Sequence, residues 1–459
     1  MTEKFRKKML EKNYDERLIS LFQKYYEKLK NGSRGIIYEK DISPVEYGSV
    51  EKFSEIKTVG ADPCVCPENV CPENACPKTA IGQTRGSAPT NAKTAVIKLN
   101  GGLGTSMGMD FPKSFAEVRD GKRFIDIAAE QHKNLPLIFM NSLQTKEMTD
   151  KFIAENKQFN LKSFVQHSFP KVLKDGLGVA EYPENPDCEF NPAGHGDVYM
   201  SLWISGILDE LLADGFRFAF ISNIDNTGAV FDESIANYMA KKDVPFLMEV
   251  CRRGEMDKKG GHIAKTKNCG LSAGNYILRE KAQAAEEELA EFENIDKYSY
   301  FNTNSIWVDL RKLSVILQRD GVIELPFIAN EKTLNPNDKM TPKVYQIEQA
   351  MGAAISLFDG ARLLEVEKER FFPVKTTNDL FLLRSDRFFL ESSASLLKSF
   401  DDNKSECNIV LNPKYYGNLA DFEKRVKRGV PKLRKCRKLL VNSDVEFNGE
   451  MEFEGETEL

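Results

Sequence analysis

The sequence lacks an uninterrupted apolar run of about 18 residues, the length from which a membrane-spanning helix is inferred. Its first residues, MTEKFRKKMLEKNYDERL, are charged throughout and lack the apolar stretch of a secretory signal. An excess of positive charge is also absent, since 64 Lys and Arg stand against 69 Asp and Glu, giving a formal net charge of −5. We therefore expect a cytoplasmic protein without a membrane or nucleic-acid partner, in which an anion site is a local cluster of cations.

The cysteines do not form the even-numbered framework of a disulfide-rich domain, because there are nine and five of them are scattered. The other four lie close together in a stretch that repeats PEN-x-CP; they are Cys64, Cys66, Cys71 and Cys76. Four thiolates can hold a tetrahedral zinc ion, but the spacing C-x-C-x4-C-x4-C is not that of a standard zinc finger. We favour a disordered insert over a zinc site here.

Composition and periodicity divide the 459 residues into three regions. Apolar residues at helical spacing predict one or two amphipathic N-terminal helices, and a stretch rich in Pro, Cys, Asn, Thr and Gly then predicts a surface insert. From residue 94, short apolar runs alternate with helical patterns, which predicts a mostly parallel sheet covered on both faces. Short alternating segments near the C-terminus predict a small β domain. The predicted regions are 1–93, with the insert at 60–93, then 94–390 and 400–459.

Four apolar runs are predicted to be buried strands: TAVIKLN (94–100), LPLIFMNS (135–142), FRFAFIS (216–222) and VPFLMEV (244–250). The stretch MSLWISGILDELLADG (200–215) predicts one amphipathic helix that ends at a glycine. Ligands of such α/β sheets bind beyond the carboxyl ends of the strands. We therefore expect the functional residues to follow these strands directly.

The most informative stretch is KLNGGLGTSMGMDFPKS (98–114), in which glycines follow a strand at once. Gly101, Gly102 and Gly104 allow positive φ angles and a close approach of the backbone to a ligand. Free N–H groups in such a turn form a concave anion site, and Lys113 after Pro112 adds a full positive charge. The glycines alone would fit an ordinary strand-to-helix turn equally well. The loop is neither a Walker A motif nor a GxGxxG dinucleotide fingerprint, and its spacing to PKS favours a triphosphate site.

The pattern GGxGTxMGxxxPKS resembles the signature loop of the eukaryotic-type UDP-glucose pyrophosphorylases. The preceding Leu99 and Asn100 favour this family over the related UDP-N-acetylhexosamine pyrophosphorylases, and the resemblance continues in order over residues 94–385. It implies a nucleotide-diphospho-sugar transferase-like (Rossmann-like) α/β fold with a mixed sheet and a left-handed β-helix at the C-terminus. It also implies that UTP and glucose 1-phosphate are converted to UDP-glucose and pyrophosphate, with Mg²⁺ assisting in-line attack on the α-phosphate.

Two motifs after the glycine loop imply nucleotide contacts. FVQHSFPK (164–171) resembles the family's NQSxxPR segment, so Gln166 is expected to read the uracil edge, for which an amide offers both donors and an acceptor. NPAGHGDVYMSL (191–202) resembles PPGHGDIY, so the Gly194 backbone is expected at uracil and His195 near the phosphates.

A further motif implies the metal site. FAFISNIDNTGAVFD (218–232) resembles SDNxGA, which assigns Asn223 to substrate and Asp225 to Mg²⁺. One carboxylate at a strand end beside a triphosphate suits Mg²⁺, which keeps several waters and binds phosphate oxygens.

The later motifs imply the sugar end of the site. DKKGGH (257–262) resembles DxKGG and makes Lys259 a candidate cation near the sugar phosphate, and LREKAQ (278–283) resembles EIAQ, with Glu280 at the sugar hydroxyls. YFNTNSIWVDL (300–310) resembles FNTNNLWVNL; Asn302 and Asn304, two apart on a predicted strand, share a face. VYQIEQAMGAAI (344–355) resembles a helix beneath the site, in which Glu348 is structural.

The segment RFFPVKTTNDL (370–380) resembles RFLPVKxTxDL and assigns Lys375 to the phosphates. The predicted catalytic residues are therefore Lys113, Lys375 and Asp225. The predicted substrate-binding residues are Leu99, Asn100, Gly101, Gly102, Gln166, Gly194, His195, Asn223, Lys259, Glu280, Asn302 and Asn304.

Three alternatives stay open at this point: a pyrophosphorylase for another sugar 1-phosphate, such as galactose or N-acetylhexosamine 1-phosphate, a dinucleotide-dependent oxidoreductase, and a catalytically silent scaffold. The sequence also leaves open whether the protein forms a homo-oligomer.

Overall fold

The structure, a computed structural model, describes residues 3–57, 92–267, 276–391, 397–399 and 407–459. The predicted zinc ligands Cys64, Cys66, Cys71 and Cys76 lie outside the described residues. The helices are α1 Glu3–Glu11, α2 Glu16–Lys30, α3 Phe53–Lys57, α4 Phe124–Gln131, α5 Leu143–Glu155, α6 Val198–Ile204, α7 Ile207–Ala213, α8 Glu233–Lys242, α9 Leu289–Phe292, α10 Leu310–Asp320, α11 Thr377–Arg384, α12 Pro413–Tyr416 and α13 Leu419–Arg425.

The strands belong to one large sheet and several small ones. They are β1 Ile42–Pro44, β2 Glu51–Lys52, β3 Thr94–Asn100, β4 Glu117–Arg119, β5 Lys122–Arg123, β6 Leu137–Asn141, β7 Leu161–Val165, β8 Ser168–Pro170, β9 Val172–Leu173, β10 Phe190–Pro192, β11 Phe218–Asn223, β12 Phe246–Arg252, β13 His262–Thr266, β14 Tyr276–Arg279, β15 Tyr300–Asp309, β16 Phe327–Thr333, β17 Lys343–Gln349, β18 Arg362–Glu365, β19 Phe388–Leu390, β20 Leu397–Ser399, β21 Asn408–Leu411, β22 Cys436–Val441 and β23 Gly455–Glu458.

The large sheet has the strand order β2-β18-β12-β15-β11-β3-β6-β7, with β1, β13 and β14 joined at its side. Strand β15 runs antiparallel to both of its neighbours, whereas the other neighbouring pairs along this path are parallel. The sheet is therefore mixed and mostly parallel, as the sequence predicts, and the four predicted strands correspond to β3, β6, β11 and β12.

Helices cover both faces of this sheet, because alternate residues of each central strand enter different hydrophobic cores. In β3, Ala95 and Ile97 pack into one core together with the N-terminal helices α1 and α2, whereas Val96 packs into the other. The second core also contains α4, α8, α11 and apolar residues of the C-terminal strands. Strands buried on both faces explain the near-continuous apolar runs of the sequence.

The carboxyl ends of four neighbouring strands lie side by side at one edge of the sheet. Asn100 at the end of β3 is in register with Asn141 at the end of β6, and Leu99 is in register with Asn223 at the end of β11. Gln166 directly follows β7, whose last residue pairs with Asn141. This edge is where a ligand of the sheet is expected.

Two predicted helices are wrong in detail. The stretch 200–215 forms two helices, α6 and α7, because Gly206 adopts a φ of 80° between them. The stretch 344–355 begins as strand β17, which carries Glu348, and continues as the 3₁₀ helix Met351–Leu357. Strand β17 pairs with β16 and β9 in a separate three-stranded sheet, so this pairing and not local helical periodicity determines the conformation of Glu348.

The C-terminal region contains more than the predicted strands. Strands β21, β22 and β23 form a parallel sheet, and two further parallel bridges join Arg428 to Asn448 and Lys432 to Glu452. Two short helices, α12 and α13, precede β22. The boundaries of the three predicted domains stay predictions.

A buried ion pair joins strand β12 to the segment that follows β18, near the carboxyl edge of the sheet. Glu249, which has no exposed surface, accepts two hydrogen bonds of 2.7 Å from the Arg370 guanidinium and one of 2.9 Å from Trp307 Nε1. Arg370 also donates to the carbonyl oxygen of Val230 at 2.8 Å. The pair therefore links β12 and β15 to the two loops that run along the edge.

We expect Arg370→Met to lower the free energy of unfolding by about 3–5 kcal/mol, because it leaves the Glu249 carboxylate buried without a cation. The measurement is denaturant or thermal unfolding. The control is the double variant Arg370→Met with Glu249→Gln, which should recover part of the loss. Equal stability of the single variant and the wild type would mean that the pair contributes nothing to the fold.

Candidate functional site

A cavity of about 290 Å³ opens at the carboxyl edge of the sheet. Most of the residues predicted to bind nucleotide line it together. Its lining residues are Leu99, Gly101, Gly102, Lys113, Met140, Gln166, Pro192, Gly194, His195, Asn223, Ile224 and Asp225. Met140, Pro192 and Ile224 are additions to the prediction. The sequence signal was direct for Ile224, which lies between Asn223 and Asp225, and weaker for Pro192, two residues before Gly194. Met140 is found only through strand pairing, because it is in register with Leu99.

The glycine-rich loop uses positive φ at Gly104 and Gly108, whereas Gly101 and Gly102 do not have it. Gly104 and Gly108 have φ angles of 66° and 64° on either side of the 3₁₀ turn Thr105–Met107, conformations that favour glycine. The Lys113 N–H donates to the Gly102 carbonyl at 3.0 Å, which folds the loop back on itself. The Ser106 hydroxyl donates to the Lys375 carbonyl at 3.0 Å and connects the loop to the segment that carries the second predicted lysine.

The ammonium of Lys113 and the carboxylate of Asp225 form an ion pair across the cavity wall. Lys113 Nζ lies 2.5 Å from Asp225 Oδ2, and the two side chains are only 13% and 18% exposed. Lys113 Nζ also donates to the carbonyl of Val374, and the Val374 N–H donates to the Asp225 carbonyl at 3.2 Å. Three segments distant in sequence, at residues 113, 225 and 374–375, therefore meet at this point.

His195 is a neutral hydrogen-bond donor. The Met351 N–H donates to Nδ1 of His195 at 3.1 Å, so Nδ1 carries no proton and the proton of the neutral ring lies on Nε2. Burial lowers the pKa of His195 to about 4, which keeps the ring neutral at physiological pH. The ring of this residue lines the cavity, so Nε2–H is the donor it can offer to an anionic ligand there.

The uracil-reading residues predicted from the sequence, Gln166 and Gly194, both lie in the cavity wall. A side chain at Gly101 would come within 2.8 Å of Gln166 Nε2, so the absence of a Cβ there leaves space for the amide. Gly194 has a φ of 86°, and a Cβ on it would lie 2.4 Å from the Gln349 carbonyl oxygen. Glycine is needed at residue 194 because the backbone packs directly against strand β17.

The residues predicted at the sugar form a second group. Asn302 Nδ2 donates to Asn304 Oδ1 at 2.8 Å, and the Asn304 N–H donates to Asn302 Oδ1 at 2.9 Å. Glu280 lies against Gly261, and burial raises the pKa of its carboxyl group while the charge of Lys375 lowers it. Lys375, which is exposed, therefore lies within electrostatic reach of this second group as well as beside Val374.

The paired asparagines do not lie on a regular strand. A register shift interrupts the pairing of β12 with β15 between Glu249 and Val250, and Asn304 adopts a φ of 56°. A non-glycine residue with positive φ inside a strand is uncommon and tends to occur at functional sites. The bulge, and not strand alternation, brings the two amides together.

Two predicted substrate residues are placed differently from expectation. The Asn100 side chain is 1% exposed and donates to Asn141 Oδ1 and Thr149 Oγ1, both at 2.9 Å, so it supports the strand ends from the interior. Lys259 is exposed in the turn before Gly260, and its charge acts on Glu293. Neither side chain lines the cavity, and a direct substrate contact of either one stays a prediction.

Comparisons with known proteins agree with the resemblance seen in the motifs. A family model described as UTP–glucose-1-phosphate uridylyltransferase matches residues 20–453. UTP–glucose-1-phosphate uridylyltransferase 2 of Dictyostelium discoideum is 37% identical over 375 residues, covering 79% of this chain and 72% of that protein. The Saccharomyces cerevisiae UTP–glucose-1-phosphate uridylyltransferase is 36% identical over 366 residues, covering 77% and 71%.

Solved structures are also similar over nearly the whole chain. A UDP-glucose phosphorylase of Trypanosoma brucei has a TM-score of 0.81 at 38% identity, covering 99% of this chain and 93% of that one. A mutant of the Leishmania major UDP-glucose pyrophosphorylase in complex with UDP-glucose has a TM-score of 0.84 at 35% identity, with the same coverage.

We expect Gly194→Ala to destabilise the protein more than Gly206→Ala does. Gly206 is left-handed, with φ of 80° and ψ of −7°, which costs an alanine about 1–2 kcal/mol. Gly194, with φ of 86° and ψ of 166°, lies in a region essentially restricted to glycine, at a cost of about 1–3 kcal/mol. Only the Gly194 Cβ meets a neighbour, which adds about 1–3 kcal/mol of steric strain, whereas nothing lies within 4 Å of a Cβ at Gly206. Thermal unfolding measures the difference, and equal effects would contradict the close packing at Gly194.

Proposed function

The chain belongs to the UTP–glucose-1-phosphate uridylyltransferase family, and we propose that it transfers the uridylyl group of UTP to glucose 1-phosphate, releasing pyrophosphate. The single observation that carries this proposal is the pairing of Lys113 with Asp225 beside the glycine-rich loop, in one cavity with Gln166, Gly194 and His195. Family membership argues against a dinucleotide-dependent oxidoreductase. The retained cations and carboxylate argue against a silent scaffold.

In this mechanism the base is recognised at one wall of the cavity. The Gln166 amide offers two donors and one acceptor to the mixed edge of uracil, and the Gly194 backbone approaches the base closely because it lacks a side chain. Leu99, Gly101 and Gly102, at and directly after the end of β3, line the same cavity, as does Asn223. His195 donates from Nε2 to a phosphate without adding charge.

The attacking group is an oxygen of the sugar phosphate, and it attacks the α-phosphorus of UTP in line with the departing pyrophosphate. This oxygen is already anionic near neutral pH, so no general base is required. The protein must hold two mutually repelling anions close together and stabilise the charge that develops in the transition state. Lys113, the free N–H groups of the glycine-rich loop and Lys375 supply fixed positive charge and donors for that purpose.

We further propose Mg²⁺ as the cofactor, with Asp225 as its protein ligand. Asp225 Oδ1 is buried and has no hydrogen-bond partner, so its lone pairs are available to a cation. Among the described residues there is no group of three or more His, Cys, Asp or Glu side chains suited to a metal, so one carboxylate with phosphate oxygens and waters is the donor set that fits. When bound, Mg²⁺ neutralises phosphate charge.

The sugar is proposed to lie against the second group of residues. Among the described residues, Asn304 Nδ2 donates to no acceptor, whereas its Oδ1 accepts from Asn302. Glu280 lies nearby, next to Gly261. These groups suit sugar hydroxyls, and the charge of Lys375 links them to the phosphates.

For the C-terminal residues we propose a left-handed β-helix-like arrangement, supported by the parallel pairing of β21, β22 and β23. Within the described residues, no helix has the length and apolar character needed to cross a bilayer.

We expect Lys113→Ala to lower kcat by about 10²–10³-fold, the usual cost of removing one group that stabilises transition-state charge. Cooperative unfolding should remain, because Lys113 belongs to a cavity wall and not to a core. The matched control is Lys151→Ala, which removes a lysine that is 77% exposed on α5. Unchanged turnover in a folded Lys113→Ala variant would remove Lys113 from the mechanism.

The activity itself is tested by pyrophosphate release from UTP with a panel of sugar 1-phosphates, with and without Mg²⁺. We expect release with glucose 1-phosphate in the presence of Mg²⁺, and loss of release after chelation. Asp225→Asn should raise the Mg²⁺ concentration needed for half-maximal rate. Release with galactose or N-acetylglucosamine 1-phosphate alone would favour the alternative sugar specificity, and no release with any sugar would contradict the proposed function.

A further inference from the structure

The segment that carries the predicted uracil-reading residue departs from the pattern it resembles. In FVQHSFPK the residue after Gln166 is His167, where the resembling pattern NQSxxPR has serine. A serine-to-histidine change adds an ionisable ring directly beside the base end of the cavity. The proposed mechanism makes no use of this ring.

His167 binds a carboxylate that is inaccessible to solvent. Its backbone N–H donates to Asp197 Oδ2 at 2.6 Å, and its ring Nδ1 lies 3.0 Å from Asp197 Oδ2 and 3.1 Å from Oδ1. Asp197 has no exposed surface, and no lysine or arginine of the described residues pairs with it. His167 is therefore the cationic partner available to Asp197, and a buried carboxylate needs a partner because an unpaired buried charge is costly.

The contact joins the two segments that line the base end of the cavity. His167 directly follows Gln166, and Asp197 is two residues after His195. The Ala193 N–H also donates to the His167 carbonyl at 3.0 Å, immediately before Gly194. The position of Gln166 relative to Gly194 and His195 therefore depends on bonds made by His167.

The N-terminal helices approach the same ring from outside. The Tyr14 ring meets the His167 ring edge-on, with centroids 6.3 Å apart, and the charges of Asp15 and Arg17 also act on His167. Burial lowers the pKa of His167, but the Asp197 carboxylate outweighs it, and the pKa is raised above the ordinary histidine value. The ring is therefore protonated over a wider pH range than a free histidine, and the ion pair is lost as the pH rises through the raised pKa.

We propose that His167 is a positioning residue for the uridine nucleotide, whose ion pair with Asp197 holds Gln166 and the Gly194–His195 segment at the spacing that the base requires. This inference rests on the proposed function, since it needs UTP as the substrate. His167 acts through Gln166 and contributes no group to the transferred phosphate. Its loss should therefore weaken UTP binding with little effect on the chemical step.

The test compares His167→Ala and His167→Asn with the wild type in steady-state kinetics of the complete chain. UTP is varied at saturating glucose 1-phosphate, and glucose 1-phosphate is varied at saturating UTP. Asparagine retains a neutral donor near the position of Nδ1 but cannot carry charge. The matched control is His132→Asn, since His132 is also buried, with Nδ1 2.9 Å from the Ala128 carbonyl oxygen, but it does not line the cavity.

We expect His167→Ala to raise the KM for UTP about tenfold, the size of one lost charge-assisted hydrogen bond, with kcat and the KM for glucose 1-phosphate changed less than about twofold. His167→Asn, which keeps a neutral donor but loses the charge, should recover only part of the UTP affinity near neutral pH. As the pH increases through the pKa of His167, the wild type loses its ion pair and its KM for UTP should rise, whereas that of His167→Asn should not. The KM of the wild type divided by that of His167→Asn should therefore increase with pH. The His132→Asn control should leave the KM for UTP unchanged.

A wild-type KM for UTP retained in both His167 variants, with a flat pH ratio, would overturn the inference while leaving the proposed function intact. A fall in kcat equal to the loss in kcat/KM would also overturn it, since that would indicate a role in the chemical step. If His167→Ala does not fold, the pH dependence of the ratio for His167→Asn decides. Absence of uridylyl transfer in the wild type would instead contradict the proposed function.

Discussion

The ion pair between Lys113 and Asp225 helps to hold together three segments that are distant in sequence but meet at the cavity. Its partners come from the loop after β3 and the loop after β11, and the carbonyl of Val374 completes the contact from a third direction. An ammonium group that is only 13% exposed needs a compensating charge, because an unpaired buried charge is costly. The Asp225 carboxylate provides this compensation, so the pair fixes the geometry of the cavity wall beside the glycine-rich loop.

Hydrogen bonds of Asn226 and Lys98 hold the segments around this ion pair in place. Asn226, next to Asp225, donates to the Arg370 carbonyl and accepts from the Phe372 N–H. These bonds connect the loop after β11 to the segment that leads to Lys375. Lys98, buried in β3, donates to Ser222 Oγ at 2.8 Å and to the Ala229 carbonyl at 2.7 Å. The buried polar contacts under the cavity are thus concentrated where the loop geometry matters for chemistry, as expected of a preorganised site.

The sequence predicted the parts of this arrangement that depend on local chemistry. The strands, the glycine-rich loop and the positions of Lys113 and Asp225 follow from apolar runs and from residues placed directly after them, and the structure agrees. The inward orientation of Asn100 could not be predicted, because it depends on Asn141 and Thr149 across the strand ends. The strand conformation of Glu348 and the bulge at Asn304 were missed for the same reason, since tertiary packing determines both. The break at Gly206 has a local cause, the positive φ of a glycine inside the predicted helix.

Strand β15 reverses the direction of the sheet at its centre, and this reversal has a geometric result. An antiparallel strand enters the sheet at the edge where its parallel neighbours leave it, and Ser305 of β15 is indeed in register with Ser222 near the end of β11. The opening residues of β15, with Asn302 and Asn304, therefore stand in the same row as the closing residues of β3 and β11. A single inverted strand thus places amides from the start of one segment beside the ends of the parallel strands, without a long loop to carry them there.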